Sequence, residues 1–179
     1  MPPKLSCLLP DANVVIEAHR QDVWGALVAN YRLVVPSTVV HLEAHFYDSP
    51  KDGRRYVIDL PAMVARNEIV EWTGTAADIA GVMSRFKPGF SQSLDLGEVE
   101  ALACLLSGDE PDAVFVTADG PAIQATAMLG MPERGSCLED VLRRCGHGRK
   151  LPAQHCEAFF ARELADGNTR FVTREGLTD

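Results

Sequence analysis

Ala113-Val114-Phe115-Val116-Thr117-Ala118-Asp119-Gly120-Pro121 is the stretch that decides the fold. Four consecutive apolar residues, three of them good β-formers, predict a strand buried on both faces. Thr117 to Pro121 turns the chain into a helix, with Asp119 at the N-cap and proline near the first helical position. The helical pattern runs to Leu129 and stops at Gly130, where a helix ends readily. Strand, acid-bearing turn and helix together form the building unit of a parallel sheet.

The same unit recurs on either side. Leu5 to Leu9 predicts a first strand closed by Pro10, with Asp11 just beyond it. A helical pattern follows from Asn13 toward Tyr31, with Trp24, Leu27, Val28 and Tyr31 at i, i+3, i+4 and i+7. Leu33 to Val35 predicts a second strand ended by Pro36, and Ser37–Tyr47 a helix. Asp48 to Gly53 is a loop by composition, and Arg54 to Ile58 reads equally as a short strand or a helix start. Ile69 to Trp72 is strand-like. Thr75 caps a helix carrying Ile79, Val82, Met83 and Phe86. Lys87 to Ser93 reads as a loop, and Gly97 to Leu106 as a helix. Two more helices are expected at Ser136–Arg144 and Leu151–Ala165. The last presents Phe159, Phe160 and Leu164 on one side, to close the core or to form a homodimer contact, and precedes a polar tail. The expected class is α/β: a three-layer α/β/α domain with a mostly parallel central sheet over residues 1–148, and a C-terminal helix and tail over 149–179.

Composition narrows the class further. The chain has 179 residues, 46% hydrophobic and 23% charged, which excludes a disordered, collagen-like or coiled-coil protein. With 17 Lys and Arg against 25 Asp and Glu, the net charge is −8; a generic basic nucleic-acid clamp is excluded. Five scattered cysteines do not make a secreted disulfide scaffold. Pro10 and Asp11 cut short any signal-peptide core, and no apolar run approaches the ~18 residues that span a bilayer. A soluble, cytoplasmic protein with no membrane association is expected. Cys137, Cys145, His147, His155 and Cys156 crowd the final part without a standard zinc spacing, and no structural zinc is assigned to them.

The informative feature is where four carboxylates fall. Asp11 and Asp119 stand just past strand ends, where ligands of open α/β sheets bind. With roughly 100° per residue around a helix, Glu43 sits amid Val39, Leu42 and Phe46 on one side and Val40, Ala44 and Tyr47 on the other, while His41 and His45 point away. A carboxylate on such a face is costly unless a lysine or arginine pairs with it or a metal binds it. In the Gly97–Leu106 helix, Glu98 lies inside the apolar arc, whereas Glu100 is expected on the solvated side. Each acid also has a structural reading. Asp11 and Asp119 are N-cap candidates, and Asp95 with Glu98 has capping-box spacing.

Carboxylates that converge repel one another and are stabilised by divalent cations. Hard oxygen donors select Mg²⁺ or Mn²⁺ over zinc. An ion held by a few carboxylates suits phosphodiester hydrolysis by water. No GxSxG, Walker A or GxGxxG motif competes.

The residues resemble a PIN domain, the nuclease fold of many toxins in type II toxin–antitoxin systems. Leu8-Leu9-Pro10-Asp11-Ala12-Asn13 is similar to the segment bearing that family's first acid, and Val35-Pro36-Ser37-Thr38-Val39-Val40-His41-Leu42-Glu43 to that bearing its second. Leu96-Gly97-Glu98-Val99-Glu100-Ala101-Leu102-Ala103 resembles the Gly-Glu-x-Glu-Ala form of the third, and Val116-Thr117-Ala118-Asp119 the closing Thr-x-Asp. The resemblance spans Leu5 to Leu142. Glu43 lies one residue further from Pro36 than the family pattern, and the segment from Cys145 onward has no counterpart in a minimal PIN domain. The resemblance implies a Mg²⁺- or Mn²⁺-dependent endoribonuclease, often dimeric and often held inactive by an antitoxin protein.

On this reading Asp11, Glu43, Glu98 and Asp119 are the catalytic metal ligands. Asn13, Thr117 and Asp95 lie around them in supporting or phosphate-positioning roles. RNA backbone contacts are expected from Lys51, Arg54 and Arg55, or from Arg143, Arg144, Arg149 and Lys150. The competing readings are a metal-dependent phosphohydrolase or DNA nuclease, and a degenerate PIN domain that serves as an interaction module.

Overall fold

The structure, a computed structural model, describes residues 6–178; Leu5, expected to open the first strand, lies outside them. In chain order the elements begin with β1 (Cys7–Pro10), α1 (Ala12–Arg20), α2 (Trp24–Asn30) and β2 (Arg32–Pro36). A π-helical segment (Val39–Glu43) leads into an antiparallel hairpin of β3 (Phe46–Asp48) and β4 (Arg55–Val57). Then come α3 (Leu60–Ala65), β5 (Val70–Trp72), α4 (Ala76–Met83), α5 (Pro88–Ser91) and α6 (Leu96–Ser107). The chain finishes with β6 (Ala113–Val116), α7 (Gly120–Met128), β7 (Gly135–Ser136), α8 (Leu138–Arg144) and α9 (Glu157–Thr173).

Five strands form one parallel sheet in the order β5-β2-β1-β6-β7. The two-residue period of a strand sorts its side chains into two cores. Leu8, Leu33, Val35 and Val116 pack with α1, α2 and α8 on one face. Leu9, Val34 and Phe115 pack with α4, α6 and α7 on the other. Both faces are covered, so the architecture is three-layer α/β/α, as the uninterrupted apolar strands require.

Several local expectations are corrected. The helix expected over Ser37–Tyr47 shrinks to the π segment, closed by the Ala44 N–H on the Val39 carbonyl at 3.2 Å. That wider i→i+5 turn displaces the expected apolar stripe, and Leu42, placed inside by 3.6-residue periodicity, is 67% exposed. The pattern from Asn13 to Tyr31 is two helices, broken at Asp22 with φ +58°. Lys87–Ser93 contains the short α5, and Ser136 belongs to a strand rather than a helix.

The terminal helix begins at Glu157, not Leu151, because Pro152 disfavours helical backbone at the residue before it and a 3₁₀ turn intervenes. It continues to Thr173 through the expected polar tail. Gly167 makes this docking possible: a side chain there would come within 2.7 Å of the Gln124 backbone in α7. Leu177 is buried beside Phe86, and the Lys87 N–H bonds the Gly176 carbonyl at 2.8 Å. The C-terminal extension is thus packed onto the sheet domain. No helix among the described residues is long and apolar enough to cross a membrane.

Candidate active site

Strand order reverses at β1: the chain steps to β2 on one side and later to β6 on the other. Open α/β sheets bind ligands at such a switch point, beyond the strand carboxyl ends. Asp11 follows β1 there and Asp119 follows β6, one strand over.

Asp11 is buried and caps α1. Its Oδ1 accepts the Val14 N–H at 2.7 Å, and its Oδ2 accepts the Thr117 hydroxyl and, at 3.4 Å, the Ala118 N–H. Burial nevertheless pushes its pKa up to about 6. Thr117 Oγ1 also accepts the Asp119 N–H at 3.1 Å, so one buried hydroxyl ties the two strand-end acids together. Asp119 caps α7 through the Ala122 N–H at 3.0 Å. Burial raises its pKa, and the charges of Asp95 and Glu163 add to the rise.

Glu98 occupies the first turn of α6, 5% exposed, and its Oε2 accepts the Asp95 N–H at 2.9 Å. Burial, then the charges of Asp119, Asp11 and Asp95, lifts it to about 8. Glu43 reaches across from the π segment, its Oε1 accepting the Gly97 N–H at 3.2 Å. Burial raises its pKa too, with Asp95 and Glu100 adding. Gly97 is what admits it. A β-carbon at that position would collide with the carboxylate and lie 3.0 Å from Val39 Cγ2.

Asp11, Asn13, Glu43, Asp95 and Glu98 line a single pocket of about 150 Å³, floored by Ala12 and Ile16. Asp119 lies to the side, coupled to Glu98 by charge. Among the described residues no lysine, arginine or histidine forms an ion pair with any of these acids. The capping roles and the convergence therefore coexist: three helix N-termini aim their carboxylates at one edge of the sheet. No group of three or more His, Cys, Asp or Glu side chains among the described residues is arranged to hold a metal ion. Glu43, Glu98 and Asp119 each direct one carboxylate oxygen to a backbone amide.

No family model, curated protein or solved structure matches this chain.

Glu100 is a correction. Expected in solvent, it is 4% exposed and accepts the Thr38 N–H at 2.8 Å and the Gly74 N–H at 3.0 Å. It fastens the approach to the π segment onto α6, and so sets where Glu43 stands. Glu163 of α9 also reaches the site. Its carboxylate lies against Gly120, beside Asp119, and no local sequence pattern marks a residue that arrives from a docked terminal helix.

The expected RNA-contacting cations are mostly engaged. Lys51 pairs with Asp22 at 2.9 Å, Arg55 with Asp48 at 2.9 Å, and Arg143 and Arg144 with Asp140 at 2.8 Å. Arg149 bonds the Gln21 carbonyl. Arg54 and Lys150 are exposed.

Proposed function

We propose that this protein is a divalent-metal-dependent nuclease of PIN type that hydrolyses RNA phosphodiester bonds. One observation carries the reading: buried and half-buried carboxylates share a pocket at the switch point, and among the described residues no lysine, arginine or histidine forms an ion pair with them. Carboxylates in that state stay protonated or take up a cation. The all-oxygen donor set fits Mg²⁺ or Mn²⁺. Asp11, Glu43, Glu98 and Asp119 would hold the ion. When bound, the ion would supply Lewis acidity at the phosphate and lower the pKa of the attacking water.

The chain's own contribution is positioning. Thr117 fixes Asp11 and the backbone of Asp119 with one hydroxyl. Gly97 leaves room for Glu43, and Glu100 anchors the segment that carries it. Asn13, exposed on the first turn of α1, borders the pocket and is placed to donate to a phosphate oxygen. The PIN resemblance adds the role of a cytoplasmic toxin paired with an antitoxin.

Cleavage of labelled RNA in Mn²⁺, abolished by EDTA and by Asp11→Asn or Asp119→Asn, is the expected result. Cutting that persists in chelator or in either variant would overturn the mechanism. A second reading, an interaction module without catalysis, is favoured by the absence of a preformed three-ligand group among the described residues. It predicts no Mn²⁺ binding by calorimetry, whereas the nuclease requires binding that Asp11→Asn removes.

A further inference from the structure

A second cleft, about 480 Å³, is built in part from the segments that lead into the acids. Its walls are α5 with the residues that flank it (Lys87 before, Ser93 after), the first turns of α7 (Pro121, Gln124) and the end of α9 with its following turn (Arg170, Glu175). Two of these walls run directly into the acids. Ser93 is two residues before Asp95, and Pro121 two residues after Asp119, separations of at most about 7 Å along the backbone. The third wall is also joined to the site. Glu163, beside Asp119, and Arg170 are seven residues apart on α9, so they share a helix face about 10 Å apart.

The cleft differs from the pocket in charge. Lys87 is exposed and has no ion-pair partner among the described residues. The Arg170 guanidinium lies over the Phe90 ring at 5.7 Å, which holds it in place, and among the described residues its one ion-pair partner is the exposed Glu175 at 3.1 Å. A protein of net charge −8 thus sets an exposed ammonium and an oriented guanidinium around an open cleft whose walls run into the segments that carry the acids. A guanidinium and an ammonium are the groups that recognise phosphate.

We propose that this cleft is a backbone subsite for a single-stranded polynucleotide, in which Lys87 and Arg170 hold phosphates adjacent to the one presented at the acidic pocket. The choice of occupant rests on the nuclease reading. A flanking subsite is what an acidic active site needs for an anionic polymer, because contacts remote from the reacting phosphate offset the repulsion at the pocket. The C-terminal extension then has a role in substrate binding: α9 carries Arg170 to the cleft, and the turn after it carries Glu175 as a competing anion.

The test is fluorescence anisotropy of a short labelled oligouridylate in EDTA across a salt series, with Lys87→Gln, Glu175→Gln and the remote control Arg66→Gln. Wild type is expected to bind with a negative salt slope. Lys87→Gln should lower that slope by about 0.7, equivalent to about fivefold weaker binding near 0.1 M salt. Glu175→Gln should tighten binding by freeing Arg170, an effect a structural role does not predict, and Arg66→Gln should change nothing. In Mn²⁺ cleavage assays Lys87→Gln should raise KM and leave kcat unchanged. Absence of wild-type binding, equal binding by wild type, Lys87→Gln and Glu175→Gln, or an equal loss in Arg66→Gln overturns the subsite. The nuclease reading survives those results if wild type still cuts RNA and Asp11→Asn does not. The expected binding pattern without cleavage keeps the subsite and removes the nuclease.

Discussion

Glu98→Gln should make the metal-free protein more stable at neutral pH, although it removes a hydrogen-bonded residue from a helix N-terminus. Folding raises Glu98 from its ordinary 4.5 to about 8, chiefly by burial. The sign follows from proton counting. Between these two values the unfolded chain has released its proton while the folded chain keeps it. Stability therefore falls as pH rises, by about 1.4 kcal/mol per pH unit for one group. From pH 4.5 to 7 this single carboxyl costs about 3 kcal/mol, an order-of-magnitude figure because Asp11 and Asp119 titrate alongside it. Glutamine carries no charge and can still accept the Asp95 N–H through its amide oxygen, as capping boxes allow. Urea unfolding in EDTA at pH 4.5, 6 and 8 should show the two proteins converging at low pH and the variant pulling ahead as pH rises. Excess Mn²⁺ should stabilise wild type most, because a cation replaces the proton. A variant less stable than wild type at pH 8, or a difference independent of pH, would refute the picture of an unneutralised acidic pocket.

Three other substitutions probe the supports of the site. Gly97→Ala should expel the Glu43 carboxylate and weaken Mn²⁺ binding at least tenfold by calorimetry, with a small stability change because a flexible side-chain end can move aside. Thr117→Val should cost about 1–3 kcal/mol in urea melts, by leaving buried Asp11 and the Asp119 N–H short of a partner, and should slow RNA cleavage. Glu100→Ala should cost about 2–4 kcal/mol, since the Thr38 and Gly74 amides both lose a charged acceptor. Glu98→Gln would not reproduce that loss, and the comparison separates the structural glutamate from the pocket one.

The centre of the sheet was legible because β1 and β6 are apolar throughout and β1 and β2 end at proline. Runs such as Ala113 to Val116 have no stable place except between two helical layers. The order of strands and helices therefore followed from local pattern, and so did the position of Asp11 and Asp119 at strand ends. Glu43 and Glu100 show where that logic stops. Both were read with a 3.6-residue period. Glu43 lines the pocket with Asp11 and Glu98 although the helix around it is a π segment that turns Leu42 outward. For Glu100 the reading failed, because helix periodicity reports which face carries apolar residues, not whether a polar residue opposite them is covered by the backbone of another element.

What the sequence determined alone was the alternation of strands and helices and the identity of the acids at the switch point, since strand burial and helix capping act over a few neighbouring residues. Only tertiary structure decided three further things: that among the described residues no lysine or arginine pairs with those acids, that Glu100 is buried against two distant amides, and that α9 docks through Gly167 to place Glu163 beside Asp119 and Arg170 in the cleft with Pro121. These depend on contacts across tens of residues, where the deciding quantity is the space left between packed elements rather than the preference of any one of them.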